Sequence, residues 1–384
     1  MEVKQIYNIV NAVTSEVLGE TAVVSEDLSN IVDIGNAVFN ASAVDAYVKS
    51  LVNHIGKVIF VDRVYRGGVP SVLMDGWEYG SVLEKISIKM PTASENESWS
   101  LNDGESYDPN VFHAPVVSAK FYNKRVTFEI ECSFTERQIK QSFSSAVQLN
   151  AFISAIYNAV EKSMTVKIDS LVMRTINNMI GETIYADYGA NSLSASTGVK
   201  AVNLLYMYNQ EYSKSLTASH ALADHDFIRY ASYIMGVYMS RMSKLSTLFN
   251  IGGEERFTPA DVLHVVMLSD FRKSAEVFMQ SDTFHDNLVK LPDAEEVPYW
   301  QGSGTGYEFN SVSKVYITTA SGHDVQTSGV LGVMFDRDAL GVTNLDRRVT
   351  TNYNPKGEFF TNWYKFDAGY FNDTNENFVV FFVA

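Results

Sequence analysis

A single cysteine, Cys132, stands in 384 residues, so no disulfide can form within the chain. Proline is sparse, with none between Pro115 and Pro259, and glycine is missing from Glu105 through Ile180. Without either breaker, no strong local signal interrupts a helix or strand across that interval. Basic charge is short as well: 30 Lys and Arg stand against 45 Asp and Glu, a formal net charge of −15. Gripping nucleic acid requires basic surface to displace counterions, so direct DNA or RNA binding is disfavoured. The balance suits a surface that faces packed DNA without sticking to it. Met1-Glu2-Val3-Lys4 lacks a basic region leading into an apolar core, so no secretory signal is read and synthesis in the cytoplasm is expected. The long uncharged stretch from Ser142 to Val160 is rich in Ser, Asn and Gln, which argues against a membrane span.

What is present supports packed, ordered structure. At 46% hydrophobic and 20% charged, the chain can bury a real core, and its length allows two or three domains. In the glycine-free interval the pattern changes from strand to helix. Val126, Phe128, Ile130 and Cys132 repeat at period two, which places the Cys132 thiol with the apolar face. Ser133-Phe134-Thr135-Glu136 reads as a capping box. Phe143, Val147, Phe152, Ile156, Val160, Met164, Ile168, Leu171 and Thr175 then follow at three- to five-residue steps, and Gly181 is expected to close the run. About 45 helical residues at ~1.5 Å each make a rod of roughly 65 Å, far longer than the mean helix of ~11–12 residues. Such a rod braces an extended object.

Before the rod, residues 1–60 read as short amphipathic helices. One stripe is Ile6, Ile9, Val10, Val13 and Val17; another runs from Val44 to Ile55, with Gly56 after it and a short strand expected at Val58–Val61. Residues 62–130 read as a long two-stranded excursion. Leu83 to Met90 alternates, Val116 to Ile130 returns, and Thr92 to His113 is a polar tip. After the rod, a helix is expected over Ile228 to Leu245, a helix start at Thr258-Pro259-Ala260-Asp261, a strand over Val262 to Leu268 and a helix over Phe271 to Gln280. Strands close the chain at Gly329–Phe335, Arg348–Tyr353, Gly357–Phe366 and Asn377–Val383.

Chemistry-bearing motifs are few. His220, Asp224, His225 and Asp226 form the densest cluster of ligand types, but the histidines lie five apart, where one helix face needs four. Asp336-Arg337-Asp338 begins like a calcium loop, yet Leu340 and Arg347 stand where ligands are required. Gly302-Ser303-Gly304-Thr305-Gly306 has neither phosphate-loop spacing nor a following helix. No metal, cofactor or catalytic residue is assigned.

The order of these segments resembles the major capsid protein fold shared by tailed phages and herpesviruses. Asp45-Ala46-Tyr47-Val48-Lys49-Ser50-Leu51-Val52-Asn53-His54-Ile55-Gly56-Lys57-Val58, Phe143 to Val160, Gly332 to Asp338 and Asn354 to Tyr364 look most like capsid proteins of small podophages of Gram-positive hosts. The resemblance implies an α+β fold with an N-terminal arm (1–61), an extended β-hairpin loop (62–130), a peripheral domain (131–185 and 326–384) built on the spine helix, and an axial domain (186–325). It implies a structural, non-enzymatic protein. Copies would assemble into hexamers and pentamers of an icosahedral head in the virion, enclosing double-stranded DNA without sequence-specific binding. It also implies a portal partner and no membrane. No long coil precedes the arm, so a separate scaffolding protein is expected. Trp77, Lys85, Trp99 and Tyr107 of the extended loop are the candidate contacts to a neighbouring subunit. A cargo compartment of the same fold and, more distantly, a carbohydrate hydrolase with paired carboxylates are the competing readings.

Overall fold

The computed structural model describes residues 3–19, 24–26, 28–40, 43–61, 69–74, 83–89, 93, 95–108, 110–190, 192–280, 294–300, 315–320 and 322–384. Three helices open the chain: α1 (Val3–Leu18), α2 (Ile31–Asn40) and α3 (Val44–Val61). The stripe Ile6, Ile9, Val10 and Val13 is buried on α1, as Tyr47, Val48, Leu51 and Val52 are on α3. Gly56 does not end α3, and the expected strand at Val58–Val61 is its last turn. Extending a formed helix adds a bond per residue without a new nucleus, which outweighs the ~1 kcal/mol cost of one glycine.

The short strand β1 (Leu73–Met74) precedes a two-stranded hairpin of β2 (Leu83–Ile88) and β3 (Val117–Tyr122). The expected single return strand is divided. After Asn123 and Lys124 the chain starts β4 (Arg125–Thr135), which pairs in a different sheet. Along β4 the period-two face of Val126, Phe128, Ile130 and Cys132 is half-buried and the alternate residues are exposed. Burial pushes the Cys132 thiol pKa up, as an unreactive thiol requires.

Helix α4 (Glu136–Ser142) begins two residues later than the expected box. Ser133 and Phe134 are still paired to Thr361 and Phe360, so Thr135 is the N-cap and closes a capping box with Gln138. The rod itself is α5 (Ala146–Tyr188), 43 residues started by Ser145 and ended at Gly189 with φ +57°. Its first half buries one stripe (Leu149, Ile153, Ile156, Val160, Met164), while Val147 points to solvent. Its second half, from Ile168 to Ile184, is buried on several faces because it passes both large sheets.

Gly181 does not close the rod. It lies inside α5, where the missing side chain makes room for Ile317 of strand β8 below. A Gly181→Ala change would gain ~1 kcal/mol of helix propensity. A Cβ there meets the Ile317 side chain at overlapping distance, and overpacking costs ~1–3 kcal/mol. The expected result is a net loss of about 1 kcal/mol in urea unfolding; an increase in stability would show that Ile317 yields freely.

Beyond the rod lie β5 (Ala201–Asn203), α6 (Leu204–Tyr212), α7 (Ala218–Ala221), α8 (His225–Met242), β6 (Leu263–Leu268), α9 (Ser269–Gln280) and β7 (Glu295–Val297). No helix starts at Thr258-Pro259-Ala260-Asp261. The Thr258 hydroxyl donates to Asp336 Oδ2 at 2.8 Å instead of capping, and the segment is a turn. Then come β8 (Val315–Thr318), β9 (Asp324–Thr327), β10 (Val330–Asp336), β11 (Leu340–Asn354), β12 (Phe359–Asn372) and β13 (Phe378–Phe382). Residues 326–384 serve both large sheets. β11 and β12 form the sheet β1-β11-β12-β4, whereas β10 and β13 sit inside β5-β13-β10-β6-β7. Every residue of β10 and β13 is buried, as strands covered on both faces require. The β11–β12 turn is set by Asn354, whose Oδ1 accepts from Lys356 N and Gly357 N at 3.0 and 3.1 Å.

Candidate assembly surface

The β2–β3 hairpin has two unlike faces. The register pairs Leu83 with Tyr122, Lys85 with Lys120 and Ser87 with Ser118 on one side, and Glu84 with Phe121, Ile86 with Ala119 and Ile88 with Val117 on the other. The side turned to the chain's own body is the more polar one, with Lys85, Lys120, Ser87 and Ser118 beside Leu83 and Tyr122. The outward side carries Ile86, Ile88, Val117 and Phe121, of which Ile86 is 62% and Phe121 64% exposed. A free hairpin in water would be built the other way round, with its apolar residues against the body. The outward side is thus a contiguous apolar strip with no cover among the described residues.

The inward side is held by ions. Lys85 Nζ lies 2.9 Å from Asp373 Oδ2 and 2.7 Å from Glu376 Oε1, and Lys120 Nζ lies 2.9 Å from Asp373 Oδ1. Arg256 Nε reaches Glu376 Oε1 at 3.2 Å. Tyr122 packs on Phe371 with ring centroids 5.1 Å apart. The carboxylates sit in the turn between β12 and β13, where Asp373 Oδ1 also accepts from Asn375 N at 3.0 Å. Burial alone would push the Asp373 carboxyl up, but the Lys120 and Lys85 donors outweigh it and hold the pKa at about 2. Burial likewise pulls on the Lys85 ammonium, and bonds to Glu376 and Asp373 reverse the sign and raise it. Burial and the Asp373 charge push the Tyr122 phenol well above its ordinary value.

The tip reaches away from this anchor. Trp99 is 89% and Phe112 85% exposed, with Tyr107 and Val111 also open to solvent. Hydrogen bonds of Asn96, Asn102 and Asp108 stay within the tip. Of the four candidate contact residues, Trp99 and Tyr107 lie together on this tip. Lys85 is instead committed to Asp373 and Glu376 of its own chain, and Trp77 lies outside the described residues. Sequence reasoning missed Asp373 and Glu376. No local signal marks them, because their partner Lys85 is 288 and 291 residues away.

The other candidate motifs are accounted for locally. Asp224 caps α8 by accepting from Phe227 N at 2.8 Å, His220 Nδ1 is within 2.9 Å of the Thr217 hydroxyl, and His225 pairs with Asp226. Asp336 spends its oxygens on Thr258 and on Asp338 N. Gly302 to Gly306 lies outside the described residues. Among the described residues no three His, Cys, Asp or Glu side chains are grouped to hold a metal, and no helix is long and apolar enough to cross a membrane.

The profile of the Phi29-like phage major capsid protein family matches residues 10–382. No curated protein matches the sequence. Among solved structures, a chain from the capsid of Staphylococcus phage Andhra is 10% identical, with a TM-score of 0.49, covering 84% of this chain and 86% of that one. A chain from the structure of the head fiber and inner core protein gp22 of native bacteriophage P68 gives the same values. One from the asymmetric unit of the bacteriophage PhiM1 mature capsid is 7% identical, with a TM-score of 0.43 and coverages of 84% and 88%.

Proposed function

The chain belongs to the Phi29-like phage major capsid protein family, which makes it a capsid shell protein of the virion, and from that premise we propose how it joins its neighbours. Copies assemble into hexamers and pentamers, with the β2–β3 hairpin and its tip as the clasp onto an adjacent copy. The observation that carries this reading is the hairpin's inverted polarity: ions tie its inner side to its own chain, while Ile86, Ile88, Val117 and Phe121 face outward. A thin projecting element of this kind gives a large interface from a small subunit, and shells need many such repeated contacts. Trp99 and Tyr107 act as the contact anchors, and Lys85 serves the interface indirectly by fixing the hairpin's base.

In this scheme residues 62–130 are the extended loop, and 1–61 the arm. Residues 131–185 with 326–384 form the peripheral domain around the sheet β1-β11-β12-β4. Residues 186–325 form the axial domain, to whose sheet the C-terminal segment lends β10 and β13. A separate scaffolding protein and a portal complete the assembly, and DNA lies inside without specific contacts, in keeping with the net charge of −15. The protein performs no catalysis in this scheme. Negative-stain electron microscopy of the purified protein, alone and beside its scaffold, tests the proposal. Closed shells or sheets of hexameric capsomers are expected; compact monodisperse particles in both preparations would reject it.

A further inference from the structure

The tip presents its large apolar side chains without a receptor in its own chain, and the molecule carries a groove to match. It lies between α2 and the junction of α4 with α5, has a volume of about 300 Å3, and is lined by Val32, Gly35, Asn36, Lys140, Phe143 and Ser144. Its floor is Phe143, buried and packed edge-on against Tyr47 at 5.5 Å. Gly35 lets α2 pack closely on that floor, since a Cβ there would lie 2.6 Å from Phe143 Cβ. Val32 forms an apolar wall that is 44% exposed. Lys140 is the one charged residue of the lining and also pairs with Glu136 at 3.2 Å, and Arg137 is exposed one turn earlier on the same helix.

The tip is the complement in charge. Residues 93–113 contain Glu95, Glu97, Asp103, Glu105 and Asp108 and neither Lys nor Arg. In a chain of net charge −15, such a segment can approach another copy favourably only where local basic charge receives it. Trp99 projects from its middle. An indole buries ~150–250 Å2 on docking, prefers a pocket of this scale, and gains from a cation beside its ring. Within one chain the two features do not meet, because Trp99 stays 89% exposed.

We infer that the α2/α4–α5 groove of one copy receives Trp99 from the hairpin tip of a second copy, with the acidic tip lying along the Arg137–Lys140 rim. The inference rests on the reading of the hairpin as the intersubunit clasp and names the surface that receives it.

Site-directed cross-linking tests it in a Cys132→Ser background. One population carries Asn36→Cys in the groove and another Ser98→Cys beside Trp99. The two are co-assembled and treated with a short bis-maleimide. Covalent dimers are expected in the mixed shells at least tenfold above shells of either variant alone. A second arm covers poor assembly of these variants: Lys140→Glu should lower shell yield at least tenfold, and Glu105→Lys in the same chain should recover it. Closed mixed shells without dimers above the single-variant level overturn the groove assignment and leave the shell function standing, as does failure of the charge swap to recover assembly. An unaltered chain that forms no shell beside its scaffold would instead overturn the clasp and shell reading beneath it.

Discussion

Removing Ala93 to Pro109 is expected to leave a monomer that folds with an unchanged Tm and forms no closed shells. The tip adds almost nothing to its own chain's core. Trp99 and Phe112 are nearly fully exposed, and the hydrogen bonds of Asn96, Asn102 and Asp108 close locally. Surface segments away from packed contacts change stability by only about 0.5 kcal/mol. Between copies the same segment carries aromatic anchors, and each buried anchor of this kind contributes ~2–4 kcal/mol at an interface. Losing even one at every contact weakens each contact by ~30- to 1,000-fold, since 1.4 kcal/mol is tenfold. A closed shell repeats that loss over its whole surface. Size-exclusion chromatography and electron microscopy provide the check. Normal shells from the shortened chain would mean that the hairpin's outward strip alone, or another surface, supplies the contact. A milder companion, Phe121→Glu on the outward strip, is expected to reduce assembly without altering the monomer.

Replacing Asp373 by Asn is expected to loosen the hairpin from its own body by about 3 kcal/mol. That is the low end of the ~3–5 kcal/mol seen when one partner of a buried ion pair is removed. Asp373 is almost wholly buried, but Lys85 and Lys120 remain partly solvated and recover some hydration. Amide exchange in β2 and β3 should accelerate about 100-fold at neutral pH, while α5 and β10 keep their protection. The native anchor also has a definite acid response. Its carboxyl titrates at about 2 when folded, below the ordinary ~3.9, so the unfolded chain takes the proton first. The stabilisation is complete above about pH 4 and drains away as pH falls through about 2. Lys85, raised by the same contacts, contributes below its ordinary value and loses that contribution as pH rises through the raised one. The Asp373→Asn protein should lack the acid-dependent step. Hairpin amides equally protected in both proteins at pH 7 would show that the Tyr122–Phe371 packing, and not the ions, holds the base.

Much of the architecture was legible from periodicity because local chemistry set it. The strand face of Val126, Phe128 and Ile130, the long rod, the helices at α8 and α9 and the four C-terminal strands all follow from side-chain spacing and breakers. The misread boundaries share a cause. Gly56, Gly181, Ser133 and Thr258 carry strong local signals, and at each a partner distant in sequence or an already formed element overrides them. Ile317 fills the space beside Gly181, β12 holds Ser133 in a strand, and Asp336 takes the Thr258 hydroxyl.

The candidate surface was only half legible. Absence of glycine and proline, the acidic balance and the alternation around Ile86 determined by themselves that this chain builds a long rod, a projecting hairpin and a polar tip, because those depend on neighbours within a few residues. Which side of the hairpin faces outward was decided only by the tertiary structure. Alternation is the same whichever face is turned in, and the choice rests on Asp373 and Glu376 arriving from the far end of the chain to capture Lys85 and Lys120. The split of the C-terminal segment between two sheets has the same origin. Strand pairing is a contact between segments far apart in sequence, and no local pattern records the partner.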